Sequence, residues 1–180
     1  MDAAAARARI AALAPTRGLV LVGIGGRGGS GKTTLARSIP DAQVVSTDEF
    51  WDGSRFELER LRAEVVVPLL DGREARFHGF DWARQRPFDA PRVIRPAGVV
   101  VVEGVCALHR RFRDAYDLRI WVEAPRDVRL TRGVARDGEA SRSTWETRWM
   151  PMEDRYVARD DPVACADLVV DGSDVLLHDG

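Results

Sequence analysis

The run Gly26-Arg27-Gly28-Gly29-Ser30-Gly31-Lys32-Thr33 has the residue types and spacing for phosphate chemistry, fitting the pattern G-x-x-x-x-G-K-[ST]. Glycines so placed let the backbone turn tightly and aim several N–H groups at one point, making a concave nest for an anion. A helix starting there adds its positive end. Gly26, Gly28, Gly29, Ser30, Gly31, Lys32, Thr33 and Thr34 are the expected nucleotide-contacting set. The Lys32 ammonium is expected to reach the β- and γ-phosphates of ATP, and the Thr33 hydroxyl to ligate Mg²⁺. Lys32 is the single lysine among 27 basic residues; the other 26 are arginine. A compact ammonium fits between phosphate oxygens where a planar guanidinium does not. A guanine-specific N/T-K-x-D loop would need a second lysine, which argues against a GTPase switch.

Two acids fall where such a loop would use them. Asp48, in Ser46-Thr47-Asp48-Glu49-Phe50-Trp51, follows a predicted strand, on the sheet edge where open α/β folds bind ligands. A carboxylate there can orient an acceptor hydroxyl in line with the γ-phosphate and take its proton, which makes Asp48 the candidate general base. A helix N-cap is the competing role for this residue. Glu103, in Val102-Glu103-Gly104, ends another strand and is the expected second metal anchor, with Asp48 nearby. Further on, Arg129, Arg132 and Arg136 recur at spacings of three and four along one helix face, with Arg142 in the loop that follows. They suggest a small lid around residues 133–145, whose guanidiniums would neutralise developing charge and exclude water. A solvated basic face paired with Asp127 and Asp137 is the alternative. Trp145, Trp149 and Tyr156 are read as packing residues rather than base-stacking ones.

Elements that could position these groups are legible in the apolar pattern. Leu19 to Ile24, Gln43 to Ser46, Gly98 to Val102, Leu118 to Val122 and Asp167 to Val170 read as five short strands. Four are nearly continuous apolar runs, as in strands buried on both faces of a parallel sheet. Lys32 to Ser38, Glu57 to Leu70, Arg126 to Arg136 and Ser143 to Arg159 have helical character. The expected fold is an α/β three-layer sandwich of the P-loop NTPase type with a five-stranded parallel sheet, one domain over residues 1–180.

Composition narrows the function classes. The net charge of −1 offers no global field for nucleic acid or an anionic membrane. No apolar stretch approaches the roughly 20 residues of a membrane span. The Ala/Arg-rich start, with Asp2 early and Pro15 after it, reads as a short helix rather than a targeting segment. Cys106 and Cys165 are far apart and outside any Cys/His cluster, which fits a reducing, cytoplasmic setting and argues against structural zinc. Self-association into a homo-oligomer is left open.

Together these residues resemble the uridine kinase group of P-loop kinases. GGRGGSGKTT is similar to that family's nucleotide loop, STDEFW to its Asp-x-Phe-Tyr element, VVVVEGVCAL to its Glu-Gly strand end, and RLTRGVARD to its Arg-rich lid helix; the likeness runs from about Leu19 to Asp171. The resemblance implies that Asp48 is the catalytic aspartate, that Phe80 and Asp81 form a Tyr-Asp-like pair beside a nucleoside, and that Arg132 and Arg136 are lid arginines. Phe50, Arg129 and Arg142 are the further substrate-side candidates. On the acceptor side the sequence departs from the family. Asp52 to Glu57 (DGSRFE) stands where a Phe-Asp-His-Pro element is usual, and Arg84 and Gln85 stand where a histidine is expected, with His78 before the pair instead. The expected activity is ATP- and Mg²⁺-dependent phosphorylation of a small-molecule hydroxyl, the 5′-hydroxyl of uridine or cytidine leading. A kinase of another small alcohol, such as a vitamin, a sugar or a sugar phosphate, and a non-catalytic ATP-binding regulatory module are the alternatives; Arg84 and Arg86, if they line the pocket, would favour an anionic acceptor.

Overall fold

The computed structural model describes residues 1–15 and 18–173. In it β1 (Leu19–Gly26), β2 (Gln43–Ser46), β7 (Gly98–Gly104), β8 (Leu118–Glu123) and β9 (Leu168–Asp171) form one parallel sheet in the order β2-β7-β1-β8-β9. Between β2 and β7 lie two small antiparallel pairs, β3 (Ala75–Phe77) with β6 (Arg92–Ile94) and β4 (Phe80–Asp81) with β5 (Arg86–Pro87). Strands of two or three residues carry no readable periodicity, which is why the sequence pattern does not predict them.

The sheet is buried on both faces, as its apolar runs require. Val20, Val22 and Ile24 of β1 pack with Ala6 and Ile10 of α1 (Ala3–Ala11) and with Leu35 and Ala36 of α2 (Lys32–Arg37). Leu19 and Leu21 point the other way, into a core with Phe50, Leu61, Val65, Phe77, Trp121 and Tyr156. Helix α1 opens with Asp2, whose Oδ1 accepts from the Ala5 N–H at 2.8 Å, and it ends before Pro15.

The two long helical stretches are each interrupted. Helices α3 (Leu58–Leu61) and α4 (Val67–Leu70) are joined by a π turn over Arg62–Val66; α6 (Arg142–Thr144) and α7 (Met150–Asp160) are joined by another over Trp145–Trp149. Each is followed by a proline, Pro68 and Pro151. Proline has no N–H to give and its ring crowds the carbonyl four residues back, here Glu64 and Thr147, both inside the widened turns. Helix α5 (Arg126–Asp137) lies between β8 and α6. Among the described residues no helix is long and apolar enough to cross a membrane.

Candidate active site

The glycine-rich run is the loop between β1 and α2. Ser30 N–H turns back to the Arg27 carbonyl at 3.2 Å, and Gly31, at φ +97°, sits in the left-handed region as N-cap of α2. Gly29 is also left-handed, at φ +75°, and a β-carbon there would run into the Arg129 carbonyl of α5. Arg27 is held from outside, with Nη1 3.2 Å from Glu123 Oε2 and Nε 3.1 Å from Asp154 Oδ1. The Ser30 hydroxyl is buried and has no partner among the described residues.

Register brings the acids to this loop. Glu103 of β7 lies between Ile24 of β1 and Ser46 of β2. Its Oε2 accepts from the Thr33 hydroxyl at 3.1 Å. At 3% exposure the Glu103 carboxyl is pushed up from its ordinary value by burial; the Lys32 charge pulls it back, the Asp48 charge adds to the rise, and the Ser46 and Thr33 hydroxyls lower it. Asp48 stands on the 3₁₀ turn Thr47–Phe50. The N-cap there is Ser46: its Oγ accepts from the Asp48 N–H at 3.3 Å while Glu49 Oε1 accepts from the Ser46 N–H at 3.0 Å. Arg92 fixes Glu49 by a hydrogen bond and also donates to the Val44 carbonyl at 2.8 Å. The capping role is thus filled by its neighbours, and Asp48 is exposed.

The chain has relatives among known proteins. A model of the phosphoribulokinase / uridine kinase family matches residues 49–171. The chain belongs to this family. The uridine kinase of Halobacterium salinarum is 32% identical over 139 residues, 64% of this chain and 61% of that protein, so the matched stretch spans less than two thirds of this relative. That of Streptococcus agalactiae is 27% identical over 143 residues, 67% of this chain and 68% of that protein. A solved chain described as a possible uridine kinase from Bacillus stearothermophilus shares the fold, with a TM-score of 0.71 at 18% identity over 94% of this chain and 97% of that one.

Arg129, Arg132 and Arg136 lie on α5 and have separate fates. Arg129 is 4% exposed; Nε donates to the Ala124 carbonyl at 3.1 Å and Nη1 lies 3.4 Å from Glu153 Oε2. It braces the loop from behind, so its placement as a substrate contact is corrected. Helical spacing selects a face but does not say what covers it. Arg132 donates through Nη1 to the Gly172 carbonyl at 2.8 Å, with the Gly29 carbonyl at 3.4 Å, and through Nη2 to the Ser173 carbonyl at 2.8 Å. Arg136 pairs with Asp137 at 2.7 Å, lies 5.8 Å over the Trp145 ring, and feels the charges of Asp48 and Glu103. Arg142 forms an exposed pair with Glu139. The stretch expected as a lid holds the end of α5, a 3₁₀ turn over Glu139–Ser141, and α6. Trp145 closes it, 2% exposed, against Gly133 and Gly28.

On the acceptor side Phe50 is fully buried, its ring 4.9 Å from Phe77 and covered by the Arg60 guanidinium, which corrects its reading as a substrate residue. Phe80 and Asp81 start the β4–β5 hairpin, and Asp81 Oδ1 accepts from the N–H groups of Ala83 and Arg84 at 3.0 and 3.1 Å, shaping its turn. Sequence reasoning missed Trp82. It is 48% exposed, stacks on Trp51 at 5.7 Å, meets Phe80 edge-on at 5.2 Å, and donates from Nε1 to the Asp48 carbonyl at 3.2 Å. Two tryptophans, each beside a candidate site residue in sequence, were the signal.

Proposed function

We propose that the chain transfers the γ-phosphoryl group of ATP, with Mg²⁺, to a hydroxyl of a small molecule, and that the acceptor is a ribonucleoside phosphorylated at its 5′-hydroxyl, uridine or cytidine first among them. The observation that carries this reading is the convergence of Thr33, Glu103 and Asp48 beside the nucleotide loop. A hydroxyl and carboxylates are hard oxygen donors that suit Mg²⁺, and Thr33, Glu103 and Asp48 are the residues that would hold it. Bound there, the ion would neutralise charge on the β- and γ-phosphates.

In this reading the amides of Gly29 to Thr34 and the Lys32 ammonium bind the phosphates, the Gly28 N–H being taken by Glu153. Asp48 orients the acceptor hydroxyl and accepts its proton as the new O–P bond forms and the bond from the γ-phosphorus to the β–γ bridging oxygen breaks, leaving ADP. Arg132 and Arg136 meet the charge that develops on the transferring group. The exposed Trp82 face, tied to Asp48 and backed by Trp51, suits a planar base. A panel of nucleosides, vitamins, sugars and sugar phosphates assayed for acceptor-dependent ADP release tests the reading. Turnover with uridine or cytidine is expected; turnover only with a sugar phosphate or a vitamin would replace the nucleoside by that class.

A further inference from the structure

Glu153 is a buried carboxylate for which the phosphoryl-transfer reading has no use. It sits on α7, 7% exposed, far along the chain from the loop. Its Oε1 accepts from the N–H of Gly28 at 2.9 Å, inside the nucleotide loop, and its Oε2 lies 3.4 Å from Arg129 Nη1. Arg129 in turn donates to the Ala124 carbonyl at the end of β8, and its backbone blocks any side chain at position 29. Gly28 is enclosed from the same helical stretch on a second side: a β-carbon there would come within 2.7 Å of Glu153 Oε1 and 2.8 Å of the Trp145 ring. The π turn over Trp145–Trp149 links these two contacts, one on each side of Pro151. Desolvation pushes the Glu153 carboxyl up, and the Gly28 N–H, Lys32, Arg129 and Arg27 pull it back.

We propose that Glu153 is a positioning residue for the nucleotide loop: it fixes the Gly28 peptide from outside the phosphate nest and ties the loop's shape to the helical stretch 142–160 through Arg129 and Trp145. A loop with several glycines has many backbone states, and selecting one before the phosphates arrive removes an ordering cost from binding. The inference rests on the loop being the nucleotide site.

The test is the binding of a non-hydrolysable ATP analogue, measured by calorimetry on the native full chain, Glu153→Gln and Glu153→Ala, each first shown to be folded by circular dichroism and studied well below its own melting temperature. Gln keeps an oxygen for the Gly28 N–H but loses the charge, so its affinity should fall about fivefold, the gap between a charge-assisted and a neutral hydrogen bond. Ala should fall further where it folds. The KM of the acceptor in Glu153→Gln should stay within about twofold of the native value, since the contact is on the donor side. A folded Glu153→Gln that binds the analogue within about twofold of the native chain overturns the inference even if its melting temperature drops, because a merely structural role lowers stability without touching affinity. No binding by the native chain overturns the nucleotide reading and the inference with it.

Discussion

The Thr33 hydroxyl donates to the Glu103 carboxylate across 3.1 Å, tying the first turn of α2 to the end of the neighbouring strand. A carboxylate so buried is costly when nothing cationic neutralises it, and Lys32 offsets only part of that cost. The site is therefore expected to be less stable than an apolar or neutral replacement would make it, as is common where function requires a charge.

Glu103→Gln should raise the stability of the ligand-free chain at neutral pH by about 1 kcal/mol. The folded-state pKa of Glu103 lies above its ordinary 4.5, so protonated Glu103 favours folding: its contribution is present below 4.5 and is lost as pH rises through the folded value. The advantage of the Gln variant over the native chain should thus be small near the acid end and grow toward neutrality. Denaturant unfolding at a series of pH values reads this directly; an advantage that shrinks with rising pH would contradict it. The same variant should lose the stabilisation that Mg²⁺ and nucleotide together confer on the native chain.

Asp48 is exposed and the turn that carries it is capped by Ser46 and Glu49, so its carboxylate can be altered without disturbing the fold. Asp48→Asn should lower kcat by about 10² or more while ATP affinity stays near native. Steady-state kinetics with calorimetric ATP binding separates the two quantities; unchanged turnover removes Asp48 as the base.

Arg129 and Arg142, both substrate-side candidates in the sequence, should behave oppositely. Arg129→Ala leaves Glu153 without its partner in a buried setting and should cost about 3 kcal/mol or more. Arg142→Ala breaks an exposed pair and should leave the melting temperature unchanged. Thermal unfolding of both variants checks the contrast, and equal effects would contradict the placement of Arg129 behind the loop.

Trp82→Ala should raise the acceptor KM about five- to tenfold with little change in the KM for ATP, because the ring is tied to Asp48, the proposed base, and stacks on Trp51. A change confined to ATP would move Trp82 out of the acceptor site.

Most of the frame was legible because parallel strands covered on both faces leave continuous apolar runs: Gln43–Ser46 matches its predicted span, β1, β7 and β8 run one or two residues past theirs, and β9 is shifted by one residue. The loop was legible because glycine spacing and a solitary lysine are local signals. What escaped depends on tertiary contact. Glu153 and Gly28 are 125 residues apart, and no local pattern joins them. Arg129 shares a helical face with Arg132 and Arg136, yet only its packing against Glu153 shows which side it serves. Phe50 lies two residues from Asp48 in a 3₁₀ turn whose opposite side is the core. The π turns before Pro68 and Pro151 add a residue to each helical stretch and rotate everything beyond, which an uninterrupted 3.6-residue pattern does not anticipate.

The most direct test of the central claim is product formation: the chain incubated with Mg²⁺, ATP labelled in its γ-phosphate and a ribonucleoside, with the products separated and counted. The account predicts label in a nucleoside 5′-monophosphate with the native chain, and a loss of about 10² or more in Asp48→Asn. Label that never reaches any acceptor, although ATP binds to the native chain and not to Lys32→Ala, would contradict it and leave a nucleotide-binding module in place of a kinase.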